Sequence, residues 1–213
     1  MDPQLTGVIH LRDISPDDEP LVGGKAAKLA RLVQAGYRVP PGFVLPVTAY
    51  ASFLAANHLD QVIRMELGRK SLDDMRWEEI WDTALRIRNA FSAASMPPEL
   101  VGEIQSGLNQ LGADRILVVR SSAPGEDAED ISFAGLHESV VGVQGSKALL
   151  AAVRIVWSSL WSDAALLYRR ELALDPVHSR MAVLVQELVA TDRSGVAFAR
   201  DPRRPAHEVM VIE

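Results

Sequence analysis

The chain contains no cysteine. That excludes a disulfide framework, a thiolate metal site and a cysteine nucleophile. Lysine is almost as scarce, with four (Lys25, Lys28, Lys70, Lys147) against eighteen arginines. The five histidines, His10, His58, His137, His178 and His207, are scattered. None has metal-ligand spacing or stands beside a serine in a nucleophile-elbow pattern, so no protein metal site is expected. The opening "MDPQLTGVIHLRDISPDDEP" lacks the basic and then apolar regions of a secretory signal. No apolar run approaches the roughly eighteen residues that a membrane span needs. A cytoplasmic protein without a membrane partner is the expectation. Neither G-x-x-x-x-G-K-[ST] nor G-x-G-x-x-G occurs. A net charge of −6 argues against non-specific nucleic-acid binding, but it leaves room for a local cationic pocket that takes phosphates.

What is present supports a folded α+β protein. Of the 213 residues, 48% are apolar, enough for a real core. "GVIHL" reads as a short strand. Ala26, Leu29, Ala30 and Val33 then follow the i, i+3, i+4, i+7 template and predict a helix from about Gly24 to Ala35, stopping at Gly36. After a Pro-Pro-Gly turn and a short strand, Thr48 is placed to cap the next helix. Trp77, Ile80, Trp81, Ala84, Ile87 and Phe91 predict another helix whose apolar face, tryptophans included, is core. A further helix is expected near "PPELVGEIQSGLNQL". Ile116 to Val119 reads as a buried strand running into a polar, glycine-bearing loop, with "ESVVGV" emerging from it. Helices from about Ser146 to Trp161 and Asp163 to Leu174 precede a β-rich end, "MAVLVQELV", "VAFARDP" and "EVMVIE". The expected organisation is a mainly helical first part (1–112) and a β-rich part with two helices (113–213). Because "VMVIE" is a strand with nothing to cover it, a truncated fragment is expected.

Four places invite chemistry. In "LVGGKAAKLARL", Lys25 follows two glycines at a helix start, where a cation is electrostatically misplaced unless an anion binds there. The alternative is the solvated face of an amphipathic helix. Arg120 ends an apolar strand where it meets two serines. It needs either a carboxylate partner, with Glu126, Asp127, Glu129 and Asp130 nearby in sequence, or a phosphate. In "SFAGLHES", Gly135 and Ser139 could offer backbone and hydroxyl donors to a ligand, or simply form a hairpin turn. Gln186 interrupts the apolar pair Leu184 and Leu188, so a buried amide must bond either to neighbouring backbone or to a ligand edge such as adenine. The acidic run "EDAED" reads as a solvated loop.

The order of these segments is specific. "GGKAAKLARLVQAGYRVPPGFVLPVTAY", "VVRSSAPGEDAEDISFAGLHES", "SLWSDAALLYRRE" and "VLVQELVATDRSGVAFARDP" together resemble the N-terminal nucleotide-binding domain of the phosphoenolpyruvate synthase (pyruvate, water dikinase) and pyruvate phosphate dikinase family, shared with rifamycin phosphotransferases. The resemblance runs from about Leu21 to Glu213. It implies the N-terminal portion of an ATP-grasp-like fold with a helical insertion in its middle. It further implies that Lys25 and Arg120 contact phosphates and act in catalysis. Gly135 and Ser139 would line the phosphate loop. Gln186 would read adenine, aided by backbone around Glu187 to Val189. The implied reaction moves the β-phosphoryl group of ATP, used with Mg²⁺, to a histidine on a separate swivelling domain. From there it passes to pyruvate, leaving AMP and phosphate. An antibiotic acceptor in the rifamycin branch, or a non-catalytic nucleotide-binding module, is the alternative.

The chain departs from the family pattern in places. Ser139 stands where threonine is common and keeps the hydroxyl. "APGED" replaces Ala-Thr-Ala-Glu-Asp. Ala199 in "FARDP" removes a hydroxyl. The Gly-Leu-Gly-Glu segment, the metal-binding carboxylate and the acceptor domains are expected outside these residues, so the chain by itself is expected to be inactive.

Overall fold

The computed structural model describes residues 7–124, 136, 138–199 and 209–212. Its frame is a five-stranded antiparallel sheet in the order β1-β2-β5-β3-β4, made of Ile9–His10, Gly42–Leu45, Ala182–Glu187, Leu117–Ser122 and Ser139–Val143. The boundary expected near residue 112 therefore runs through one sheet, with β1 and β2 coming from the first part and β3, β4 and β5 from the second. Two further short strands, β6 (Ala197–Phe198) and β7 (Val211–Ile212), pair only with each other. The chain is α+β, as its segment order implies.

Period-two alternation gives the sheet two different faces. Phe43, Leu45, Leu117, Val119, Val183 and Val185 point to one side and join the main core. That core is completed by α2 (Val47–Ala56), α3 (Leu59–Gly68), α4 (Trp77–Ala93), α5 (Pro98–Leu111), α6 (Gly145–Ser159) and α7 (Asp163–Glu171). Val44, Ala182 and Leu184 point to the other side, where Val22, Ala26, Ala27 and Ala30 of α1 (Glu19–Gln34) cover them. This second layer is small and alanine-rich, so the helix lies close to the sheet. It covers the β2–β5 side of that face and leaves Arg120, Ser139 and Val141 exposed on the β3–β4 side.

Several local expectations need correction. The first helix begins at Glu19, upstream of Gly24, and is broken at Gly23. Thr48 lies inside α2, whose N-cap is Pro46, because a tight turn after β2 starts the helix two residues earlier. Ile80, Ala84, Ile87 and Phe91 of α4 are fully buried, but Trp77 and Trp81 are 58% and 42% exposed. Burial follows the narrow stripe that faces α3, α6 and α7, and the tryptophans lie off it. Ile116 is also exposed, and β3 extends through both serines to Ser122. The stretch Gly145–Glu171 is apolar and long enough to be a candidate membrane span, contrary to the sequence expectation. Here it forms two helices separated at Leu160–Ser162, with Leu149, Val153, Trp157 and Leu166 buried in the core.

Aromatic packing joins the helices. Trp157 lies 5.0 Å from Phe53 and 5.7 Å from Tyr50 between ring centroids, and its Nε1 donates to the Met181 carbonyl at 3.2 Å. Trp161 Nε1 donates to the Tyr50 hydroxyl at 3.0 Å. The Arg169 guanidinium stands 5.9 Å from the Trp161 ring and donates to the Leu160 carbonyl at 2.7 Å. Burial raises the Tyr50 phenol pKa and lowers that of Arg169 to about 10. Both follow from the cost of holding charge away from water.

Tyr50→Phe keeps the ring but leaves the buried Trp161 N–H without its acceptor. A loss of about 1–3 kcal/mol is expected, read as a lower urea midpoint with an unchanged slope.

Candidate functional site

The site is built where α1 meets β3. At Gly23 the backbone leaves the helix with φ +77° and ψ 163°, a region open essentially to glycine alone. A helical segment restarts at Gly24, with Lys25 in its first turn. Such a start exposes N–H groups that need acceptors. A local N-cap side chain would normally supply one, and glycine has none. The acceptor comes from β3: the Ala26 N–H donates to Ser122 Oγ at 3.1 Å, and Ser122 Oγ donates to the Val22 carbonyl at 2.7 Å. One hydroxyl therefore closes both sides of the break. Ser122 is fully buried. A Cβ on Gly23 would lie 2.6 Å from Ser122 Oγ and closer still to the Ser122 carbonyl. The structure uses the missing side chain of Gly23 against Ser122.

Two residues before Ser122, on the same side of the same strand, stands Arg120. That separation is about 7 Å along a strand. Its Cα partner on β4 is Ser139 and on β5 is Leu184. In an antiparallel pair, directly opposed residues share a face with Cβ atoms about 5 Å apart. The structure therefore brings Arg120, Ser139 and the helix start bearing Lys25 to one side of the sheet. Arg120 and Ser139 are exposed and Lys25 is half-buried. Gly135 and the carboxylates Glu126, Asp127, Glu129 and Asp130, once weighed as partners of Arg120, lie outside the described residues.

Gln186 is on the same face at the other end of β5, opposite Gly42 and Val118. It is 5% exposed, and its Nε2 donates to the Pro40 carbonyl at 2.9 Å. The Nε2 of Gln186 is thus engaged by backbone, one of the two partners weighed from sequence. The N–H groups of Glu187 and Leu188 donate to the Pro41 and Ile116 carbonyls, and the Glu187 carboxylate pairs with Arg115. Val189 is the first position past this pairing.

Among the described residues, Arg120, Ser139 and Val141 are exposed on this face. Hollows of about 210 and 400 Å³ lie at the β1 edge and beside α7, and neither is lined by Lys25 or Arg120. Among the described residues, no group of three or more His, Asp and Glu could hold a metal ion. The arrangement has the chemistry to meet a polyanion: Arg120 lies opposite Ser139, and Ser122 ties the helix start bearing Lys25 to the same strand. Sequence reasoning missed Ser122. Its only signal was its place two residues after Arg120, and nothing local couples it to Gly23.

Residues 19–213 match the family described as pyruvate phosphate dikinase, AMP/ATP-binding domain. A phosphoenolpyruvate synthase of Aeropyrum pernix is 37% identical over 211 residues, which cover 97% of this chain and 26% of that protein. A probable phosphoenolpyruvate synthase of Methanothermobacter thermautotrophicus is 31% identical over 99% of the chain and 31% of its own length. A rifampicin phosphotransferase of Streptomyces sviceus is 36% identical over 92% of the chain and 22% of its own length. The chain thus spans between a fifth and a third of these relatives.

Gly23→Ala adds both a disfavoured φ and an overlap with Ser122, so a loss of about 2–4 kcal/mol is expected in urea denaturation. Gly36→Ala separates the two effects. Gly36 also has positive φ, +82°, but nothing lies within 4 Å of its added Cβ, and about 1 kcal/mol is expected.

Proposed function

The chain belongs to the pyruvate phosphate dikinase AMP/ATP-binding domain family, and from that premise we propose that it is the phosphoryl-donor portion of a phosphoenolpyruvate-synthase-like dikinase. The single observation that carries this reading is that Ser122, two residues after Arg120 on the same face of β3, bonds the backbone of Ala26 beside Lys25. In the proposed reaction the terminal phosphates of ATP lie against these cations. The β-phosphoryl group passes to a histidine on another part of the protein and water takes the γ-phosphoryl group, leaving AMP and phosphate. The histidine then phosphorylates pyruvate. Phosphoryl transfer asks mainly for positioning and for charge held where it develops. Lys25 supplies a compact ammonium and Arg120 a planar fork that can engage two oxygens at once. Ser139, opposite Arg120, adds a hydroxyl donor, and the expected role of Gly135 is to let the phosphate loop approach closely. Magnesium would accompany ATP as the neutralising cation.

The register supports an orientation for the nucleotide. Gln186 lies at the opposite end of the same face from Ser122, which suits a molecule laid along it with adenine at Gln186. Its Nε2 is engaged with Pro40, so its side-chain carbonyl is the group that would accept from adenine's exocyclic amine. Backbone help would come from Val189, the first position beyond the committed N–H groups. An ATP-grasp-type clamp, with the β6–β7 end of the chain forming part of the opposing lobe and α2 to α5 as a helical insertion, is part of the same proposal.

Synthase and rifampicin phosphotransferase relatives match at 37% and 36% identity. That near-equality supports a shared ATP half, with the acceptor chosen elsewhere, so an antibiotic hydroxyl is the second reading.

In the natural full-length protein, Lys25→Ala and Arg120→Ala are each expected to lower ATP-dependent AMP release by about a hundredfold or more, with unchanged circular dichroism. Wild-type turnover in either variant would remove that residue from the mechanism.

A further inference from the structure

We propose that Ser122 is a positioning residue for the nucleotide: its hydroxyl sets where Lys25 stands relative to Arg120. The inference rests on the phosphate reading of Lys25 and extends it to a residue that touches no substrate.

Three observations carry it. The Ser122 hydroxyl is spent twice, accepting from Ala26 and donating to Val22, so it fixes the residues on both sides of the Gly23–Gly24–Lys25 turn. It is fully buried, and Gly23 lies so near that no side chain fits between them. It belongs to the strand that carries Arg120, two positions away on the same face. Any displacement of the turn from β3 therefore changes the spacing between the two cations directly.

A purely stabilising cap would not need this arrangement. The helix α7 is capped by its own Ser162, whose Oγ accepts from Ala165 N–H at 3.1 Å, and such local caps satisfy helix ends without help from afar. The break at Gly23 instead interrupts a helix in a conformation that persists only where its surroundings over-determine it. The group that over-determines it comes from 96 and 100 residues away. Strain held in this way aims the restarted helix, with Lys25 in its first turn, at the end of β3.

The test is calorimetric titration of the natural full-length protein and its Ser122→Ala, Ser122→Cys and Lys25→Ala variants, using ATP and phosphate-free adenosine as probes. Ser122→Ala is expected to weaken ATP binding about fivefold to tenfold and to change adenosine binding less than twofold. Ser122→Cys should fall between Ser122→Ala and the parent, because a thiol is a weaker donor and acceptor. Unchanged ATP affinity in Ser122→Ala would overturn the proposal. So would equal losses for ATP and adenosine, which mean general loosening. If Ser122→Ala does not fold, the same comparison on Ser122→Cys decides. Lys25→Ala separates the two layers: if it weakens ATP and Ser122→Ala does not, only the positioning role fails. If Lys25→Ala leaves ATP binding unchanged, the phosphate reading fails and the positioning role with it.

Discussion

One buried hydroxyl holds the functional face together. Ser122 stands in for the cap side chain that Gly23 lacks, and in doing so it ties α1 to β3 at the only point where the helix leaves its regular path. Without that hydroxyl the Ala26 N–H and the Val22 carbonyl would each lose a buried partner, which is costly for backbone groups. Glycine is required for two reasons that coincide at one atom. Only glycine adopts this φ and ψ easily, and only glycine admits the Ser122 backbone so closely. The alanines that follow, Ala26, Ala27 and Ala30, continue the same logic by letting the helix lie low on Val44, Ala182 and Leu184.

The two faces of the sheet divide the work. One side carries the large core, where Trp157, Phe53, Tyr50 and Phe91 pack together and Arg169 is held over Trp161. The rigidity of that layer fixes the strand register. On the other side α1 covers Val44, Ala182 and Leu184 and meets β3 at Ser122. Among the described residues, Arg120 and its partner Ser139 are exposed on that same face. The family whose model the chain matches is described as an AMP/ATP-binding domain. The chemistry argued for it needs only fixed cations and donors, as phosphoryl transfer does.

Much of this was legible in the sequence. The helical stripe of α1, the apolar strand before Arg120, the glycine pair before Lys25 and the order of the motif segments all rest on near-neighbour relations, which period 3.6 and period 2 encode. Gln186 was legible as a buried amide needing a partner, and it has one in Pro40. Trp77 and Trp81 were misread as core because periodicity gives a stripe without its width, and the stripe on α4 is narrower than its apolar residues. The two helices of Gly145–Glu171 illustrate the converse: their apolar composition is that of a membrane span, and packing alone makes them a core.

By itself the sequence determined most element types, the α+β class and the family. Tertiary structure alone decided that Ser122 closes the Gly23 break, that Arg120 faces Ser139, and that Gln186 holds Pro40. The reason is range. A residue's relation to its fourth neighbour is set by backbone geometry, whereas a hydroxyl meets an amide 96 positions away only after the sheet has paired and the helix has settled on it.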